Sequence, residues 1–234
     1  MTFDGQLQSA NAVVVGASGA FGSRIAEHFA AAGARLTLVG RREDALQTAA
    51  SLTSEDRVQR LVADLRDPST ADDVISTALK LGDTVDIVVN AMGVVAFGDV
   101  VDLDSDIVEE LFLTNTFGAM FLAKAALPIM STGGTIASIS GVIAEHNMAG
   151  MAAYGASKAA LQSFNEGFAR EARRMKVRVL DIRPPHTETG LVDRAIAGTA
   201  PNFPTGLDPD IATDIIVRAL ADGSVKDLPS SAFA

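Results

Sequence analysis

Gly16-Ala17-Ser18-Gly19-Ala20-Phe21-Gly22 follows the apolar run Ala12-Val13-Val14-Val15 and precedes a stretch in which Ile25, Phe29 and Ala32 share one helical face. A short run of β-branched residues reads as a strand buried on both faces, so the glycines lie in a strand-to-helix turn. Glycine allows a sharp turn, lets backbone N–H groups approach an anion and lets the helix pack closely on the strand. The first turn of the helix offers unpaired N–H donors and a positive dipole end, which suits a pyrophosphate. Gly16, Ser18, Gly19, Phe21 and Gly22 are therefore candidate phosphate-binding residues, with the Ser18 hydroxyl as an extra donor.

The same alternation continues along the chain. The first helix is predicted over 22–32 and stops at Gly33; a strand follows over 35–39, a helix over 43–50 and a third strand over 58–63. A helix from near Pro68 to Leu79 leads to a strand over 86–90, one uninterrupted helix over 106–128 and a strand over 134–140. A helix over 153–175 and a strand over 177–183 come next, and residues 208–234 supply one helix and a short tail. Apolar strands alternating with helices imply an α/β fold, a doubly wound Rossmann-type parallel sheet in a single domain over 1–234. Ligands of such sheets bind beyond the carboxyl ends of the strands. That points to residues 16–22, 40–42, 64–65, 90–93, 138–141 and 184–189.

Composition narrows the function. The 234 residues are 48% hydrophobic, enough for a sizeable core. A net charge of −10 without basic clusters argues against a nucleic-acid surface. The absence of cysteine excludes disulfides, a thiolate nucleophile and Cys-ligated metal, and no His, Asp and Glu cluster has metal-ligand spacing. Residues 1–11 lack the order of a secretion signal, and no apolar run approaches the roughly 18 residues of a membrane span. The expectation is a soluble, cytoplasmic protein without a membrane partner.

Cofactor choice is read at the end of the second strand. An NAD site places a carboxylate there for the ribose hydroxyls. This chain has Val39-Gly40-Arg41-Arg42, with no carboxylate before Glu43. Two guanidiniums suit a 2′-phosphate, so Arg41 and Arg42 favour NADP(H) over NAD(H).

Tyr154-Gly155-Ala156-Ser157-Lys158 opens a predicted helix and contains the only tyrosine of the chain. Residues at i and i+4 share a face, bringing phenol and ammonium together. An unperturbed tyrosine has a pKa near 10, and lowering it by about three units takes about 4 kcal/mol. A lysine charge about 5 Å away contributes about 3 kcal/mol at an effective dielectric near 20, and an oxidised nicotinamide would add positive charge. The pair is a candidate proton donor and acceptor.

These residues resemble the short-chain dehydrogenases/reductases, and the resemblance covers nearly the whole chain. It includes the glycine turn, Asp64-Leu65 after the third strand, Asn90-Ala91-Met92-Gly93 after the fourth, Asn115 in the long helix and Tyr154…Lys158. The resemblance implies that Tyr154 moves the substrate proton, that Lys158 binds ribose hydroxyls and lowers the tyrosine pKa, and that Asn115 holds a water in a proton relay. It also places Asp64, Leu65, Asn90, Ala91, Gly93, Pro184, Thr187 and Thr189 against the cofactor, with Thr189 matching the threonine that binds the carboxamide.

Four positions depart from the family pattern. The glycines are spaced Gly-x-x-Gly-x-x-Gly, as in the extended branch of the family, although Ala20 is small enough for the compact one. Ala91 replaces an asparagine, and Pro184-Pro185 replaces Pro-Gly, removing an N–H donor. The family's carbonyl-polarising serine falls at Gly141. Ser140 is the neighbour expected to take that role, with Ser138 in reserve on the same face.

The expected activity is reversible hydride transfer between NADP(H) and a small-molecule carbonyl or secondary alcohol, under a lid over 187–206. His146 and His186 are expected to have positional roles. A redox sensor or partner-binding protein with little catalysis is the alternative, kept open by Gly141 and Pro185. A nucleotide-sugar epimerase is a third reading, but it would need a larger C-terminal domain. Phe112, Phe117, Phe121, Phe164 and Phe168 suggest a homodimer through the Asn115 and Tyr154 helices, with a tetramer as the larger alternative.

Overall fold

The computed structural model describes residues 7–51 and 53–234; residues 1–6, on which much of the leader reading rests, lie outside the described residues. Six parallel strands form one sheet: β1 (Asn11–Val15), β2 (Arg35–Gly40), β3 (Val58–Val62), β4 (Val85–Asn90), β5 (Met130–Ile139) and β6 (Arg178–Ile182), in the order β3-β2-β1-β4-β5-β6. The direction of winding reverses between β1 and β4, the switch point at which the turns after the strands diverge and leave a crevice.

Each strand sends alternate residues to opposite faces. Val14, Leu36 and Leu38 pack with Ile25 and Phe29 of α1 (Ala20–Ala31), Leu46 of α2 (Glu43–Ala50) and Ile216 of α7 (Pro209–Ala221). Val13, Val15 and Val39 pack on the other side with Val74 of α3 (Thr70–Ala78), Leu122 of α5 (Gly118–Ala126) and Phe168 of α6 (Ala152–Ala172). This period of two explains why the strands read as continuous apolar runs: both of their faces are covered. Helix α7 starts at Asp208, whose carboxylate accepts the N–H groups of Asp210 and Ile211, with Pro209 in the first turn.

The helix expected over 106–128 is not continuous. It is α4 (Ser105–Phe112), a π-turn over Leu113–Phe117 and α5. Thr114, Asn115 and Thr116 are buried in the π-turn; Asn115 and Thr116 bond to Val94 and Ser157 outside the helix, compensating for the widened turn, whereas Thr114 donates back to Glu110 of α4. Counted as one unit, Ser105–Ile129 is long and apolar enough to cross a membrane, which the search for a single apolar run missed; nearly half of it is packed inside the protein. Phe168 belongs to the core with Phe164 stacked 5.5 Å away, whereas Phe117 is exposed beside Phe112.

The tail after α7 returns to the sheet. Leu228 N–H donates to the Asp181 carbonyl at 3.0 Å, and Arg183 N–H donates to the Leu228 carbonyl at 2.9 Å, forming one bridge at the β6 edge.

Candidate active site

The glycine turn is compact because its close approaches leave no room for side chains. Gly16 has φ +78°, and a Cβ there would lie 2.9 Å from the backbone of Ala91. A Cβ on Gly22 would lie 2.1 Å from the Gly16 carbonyl oxygen, so α1 packs on the turn only with glycine at that position. Gly19 stands at the N-cap of α1 without a side-chain cap, and no acidic residue occupies the first turn. An uncapped N-terminus over a glycine cradle fits a pyrophosphate.

Beyond the turn, Arg41 and Arg42 are exposed at the end of β2, and neither donates to a protein acceptor among the described residues. Asp64 is held by the Arg66 guanidinium, which lowers its pKa, and Arg66 also binds Glu110. Asn90 ends β4 by accepting the Met92 N–H at 3.1 Å through its side-chain oxygen. Leu65 is buried against the helix carrying the π-turn.

The carboxyl ends of β1, β4, β5 and β6 surround a cavity of about 250 Å³. Gly19 and Phe21 from the first turn, Ala91 and Gly93 after β4, Ser140 after β5, and Pro184, Thr187 and Thr189 after β6 all line it, as do Tyr154 and Lys158 of α6. Gly16, Ser18, Gly22, Arg41, Arg42, Asp64, Leu65, Asn90 and Asn115 lie outside that wall.

Asn115 joins the two halves of the site. Its side-chain oxygen accepts the Val94 N–H at 2.9 Å, and its amide donates to the Val94 carbonyl and to Ser157 Oγ, each at 3.0 Å. Ser157 donates in turn to the Tyr154 carbonyl at 2.8 Å. Lys158 Nζ donates to the Ile139 carbonyl at 2.9 Å and lies beneath Gly93, where a Cβ would come within 3.2 Å of it. Burial lowers the Lys158 pKa to about 8, opposed by the nearby charge of Asp181. Burial also raises Tyr154 to about 12, so the lowering expected from Lys158 is absent in the protein alone. Desolvation of the phenolate alone sets the shift, and the Lys158 ammonium is engaged by a backbone carbonyl.

Ser140 is fully buried, and its hydroxyl donates to Asp181 Oδ2 at 2.9 Å. Ser138 is buried within β5 and does not reach the cavity wall. Gly141, the register position of the family serine, has φ +86°, and open space surrounds the place where its Cβ would stand.

The family model described as "short chain dehydrogenase" matches residues 10–199. The chain belongs to the short-chain dehydrogenase/reductase family. It is accordingly an NAD(P)-dependent oxidoreductase with a single Rossmann-type domain. Among its relatives, an uncharacterised oxidoreductase of Staphylococcus aureus is 30% identical over 89% of this chain and 90% of its own length. Dehydrogenase/reductase SDR family member 7B of Xenopus tropicalis is 29% identical over 92% of this chain and 75% of its own length. A short-chain dehydrogenase/reductase from Serratia marcescens superposes with a TM-score of 0.84 at 23% identity, covering 96% of this chain and 97% of its own. A short-chain dehydrogenase from Burkholderia cenocepacia in complex with NADP has a TM-score of 0.84 at 23% identity, covering 98% and 100%. These two solved structures are alike in fold.

In this dehydrogenase/reductase the outer part of the cavity is apolar, with Val95, Ile143, Met148, Met151, Leu191 and Phe203 on its wall. The segment over 187–206 is closed at its base, where Leu207 N–H donates to the His186 carbonyl, and tied down at its middle, where Ile196 N–H donates to the Val95 carbonyl. His186 packs against Phe203 in a tilted arrangement with centroids 4.9 Å apart, and His146 lies in the loop before α6. Sequence reading missed Asp181, Arg183 and Glu145, which form a charged cluster under the site. Asp181 within the apolar run 179–182, with Arg183 two residues on, was the available signal.

Proposed function

We propose that the protein transfers a hydride reversibly between NADP(H) and the carbonyl or secondary alcohol of a small, largely apolar substrate. The observation that carries this reading is the burial of Tyr154 and Lys158 on one helical face at the wall of a cavity shared with the glycine turn. The dinucleotide, when bound, supplies or accepts the hydride. Gly16, Ser18, Gly19, Phe21 and Gly22 would hold its pyrophosphate, and Arg41 and Arg42, exposed, making no side-chain hydrogen bond among the described residues and without a carboxylate on β2, favour a 2′-phosphate. Asp64, Leu65, Asn90, Ala91 and Gly93 would line its adenosine and ribose side, with Pro184, Thr187 and Thr189 at the nicotinamide end.

In reduction the neutral Tyr154 phenol donates its proton to the developing alkoxide. Lys158 stabilises the phenolate left behind, and Asn115 holds the α6 hydrogen-bond chain through Ser157. Ser140 polarises the same oxygen only by giving up Asp181 as its acceptor, so its contribution is smaller than that of Tyr154. The residues over 187–206 act as a lid, and their apolar side chains exclude water from the reacting atoms. A dimer would cover Phe117 beside the π-turn.

The test is nicotinamide absorbance with NADPH and NADH over a panel of apolar carbonyls, comparing wild type with Tyr154→Phe. The expected result is turnover with NADPH that falls about 10³-fold in the variant while cofactor binding persists. Turnover surviving Y154F would overturn the mechanism, and equal use of NADH would overturn the cofactor preference. The bond from Ser140 to Asp181 favours one other reading, a cofactor-binding sensor; binding without turnover on the whole panel would support it.

A further inference from the structure

Beneath the catalytic pair lies a buried polar cluster that the proposed mechanism does not use. The Asp181 carboxylate at the end of β6 is almost fully buried and has three side-chain donors: Ser140 Oγ at 2.9 Å, Asn165 Nδ2 at 2.7 Å and the Arg183 guanidinium. Arg183 is equally buried, and it also pairs with Glu145 in the loop before α6 and with Asp227 in the C-terminal segment at 2.6 Å. Lys158 holds the Ile139 carbonyl while Asp181 holds the hydroxyl of the next residue, so the two clamp consecutive residues at the end of β5.

We propose that Asp181 is a positioning residue for catalysis: from beneath the end of β5 it keeps the Lys158 ammonium charged and in place. The proposal rests on the reading of Tyr154 and Lys158 as the catalytic pair. A buried ammonium loses its hydration, and its one acceptor among the described residues, the Ile139 carbonyl, is neutral. The carboxylate supplies the missing opposite charge, consistent with the upward pull of Asp181 on a lysine that burial otherwise depresses. The groups set around the pair are Tyr154 on α6, Arg183 just after β6, Glu145 in the loop before α6, and Asp227 in the tail. The π-turn contributes Asn115, β5 ends in Ser140, and Glu110 of α4 is taken by Arg66. Arg183 opposes Asp181 by neutralising part of its charge, so the two make opposite contributions at Lys158.

That opposition makes the proposal testable without substrate or cofactor. The ε-carbons of Lys80, Lys124, Lys158, Lys176 and Lys226 can be labelled and titrated by NMR, with Lys158 assigned by its loss in Lys158→Arg. The wild-type midpoint of Lys158 is expected near 8. Asp181→Asn is expected to lower it by about one pH unit, because an opposite charge is removed, and Asp181→Glu to restore it. Arg183→Gln is expected to raise it. General loosening of the fold would expose Lys158 and move its midpoint upward, so a downward shift in D181N is not a structural side effect. Should D181N fail to fold, the comparison of R183Q with wild type decides. An unmoved Lys158 in folded D181N, or in R183Q where D181N does not fold, would overturn the proposal, even with Y154F inactive as the catalytic reading requires. Turnover surviving Y154F would instead remove that reading while leaving the titration result standing.

Discussion

The half of the sheet built on β1, β2 and β3 and the half built on β4, β5 and β6 prepare their ends of the crevice by different means. In the first, the important feature is the absence of side chains: Gly16 and Gly22 permit close approach, and α1 begins uncapped. In the second, buried polar side chains from β5, the π-turn, α6 and β6 meet: Ser140, Asn115, Tyr154, Lys158 and Asp181. The first arrangement is largely local along the chain, with Gly22 closing on Gly16, although Gly16 also abuts the Ala91 backbone. The second depends on contacts between segments far apart in sequence, such as the bond between Asn115 and Ser157, and desolvation raises the cost of each charge it contains.

The largest expected effect breaks the local half. Gly22→Ala places a methyl group against the Gly16 carbonyl and is expected to cost more than about 3 kcal/mol, or to abolish soluble expression, as read by denaturant unfolding. The next separates activity from stability in the other half. Lys158→Met is expected to lower kcat about 10³-fold by the proposed mechanism, yet to stabilise the folded protein at pH 7 by up to about 3 kcal/mol. The sign follows from a folded pKa of about 8, below the 10.5 of an exposed lysine. The unfolded chain binds the proton more readily, so the penalty is fully present below pH 8 and disappears as pH rises towards 10.5. Melting temperatures of wild type and K158M should therefore converge at alkaline pH.

A smaller effect tests whether cofactor selection belongs to the first half alone. Replacing Arg41 and Arg42 together by Ala is expected to raise KM for NADPH about tenfold and leave NADH nearly unchanged, measured by steady-state kinetics. The smallest effect concerns a glycine of the second half. Gly141→Ala meets open space but must hold φ +86°, so it should cost about 2 kcal/mol, less than G22A, by thermal unfolding. A G141A loss equal to that of G22A would erase the distinction between conformational and steric glycines.

Much of the fold could be read from the chain because the relevant signals are local. Apolar runs buried on both faces identified the strands, and the glycine turn identified the first βα unit. The Tyr154–Lys158 spacing put both residues on one face of α6. The π-turn at Leu113–Phe117 could not be read in this way, since the bonds that compensate for it come from Val94 and Ser157. Nor could the environment of Tyr154, where burial sets the phenol near 12 in the bare protein although a lysine lies one turn away. Ser140 shows the same limit: its place beside the site followed from counting residues, but the direction of its hydroxyl depends on a carboxylate 41 positions away.

By itself, then, the sequence determined the order of strands and helices, the glycine cradle and the residue types able to move a proton, because spacing and backbone preference act over a few residues. Tertiary structure alone decided which charges are desolvated and which partners satisfy them, above all the Asp181–Arg183 cluster beneath Lys158. Desolvation and ion pairing depend on distances through space, and those exist only once the β6 edge, the loop before α6 and the C-terminal segment have come together.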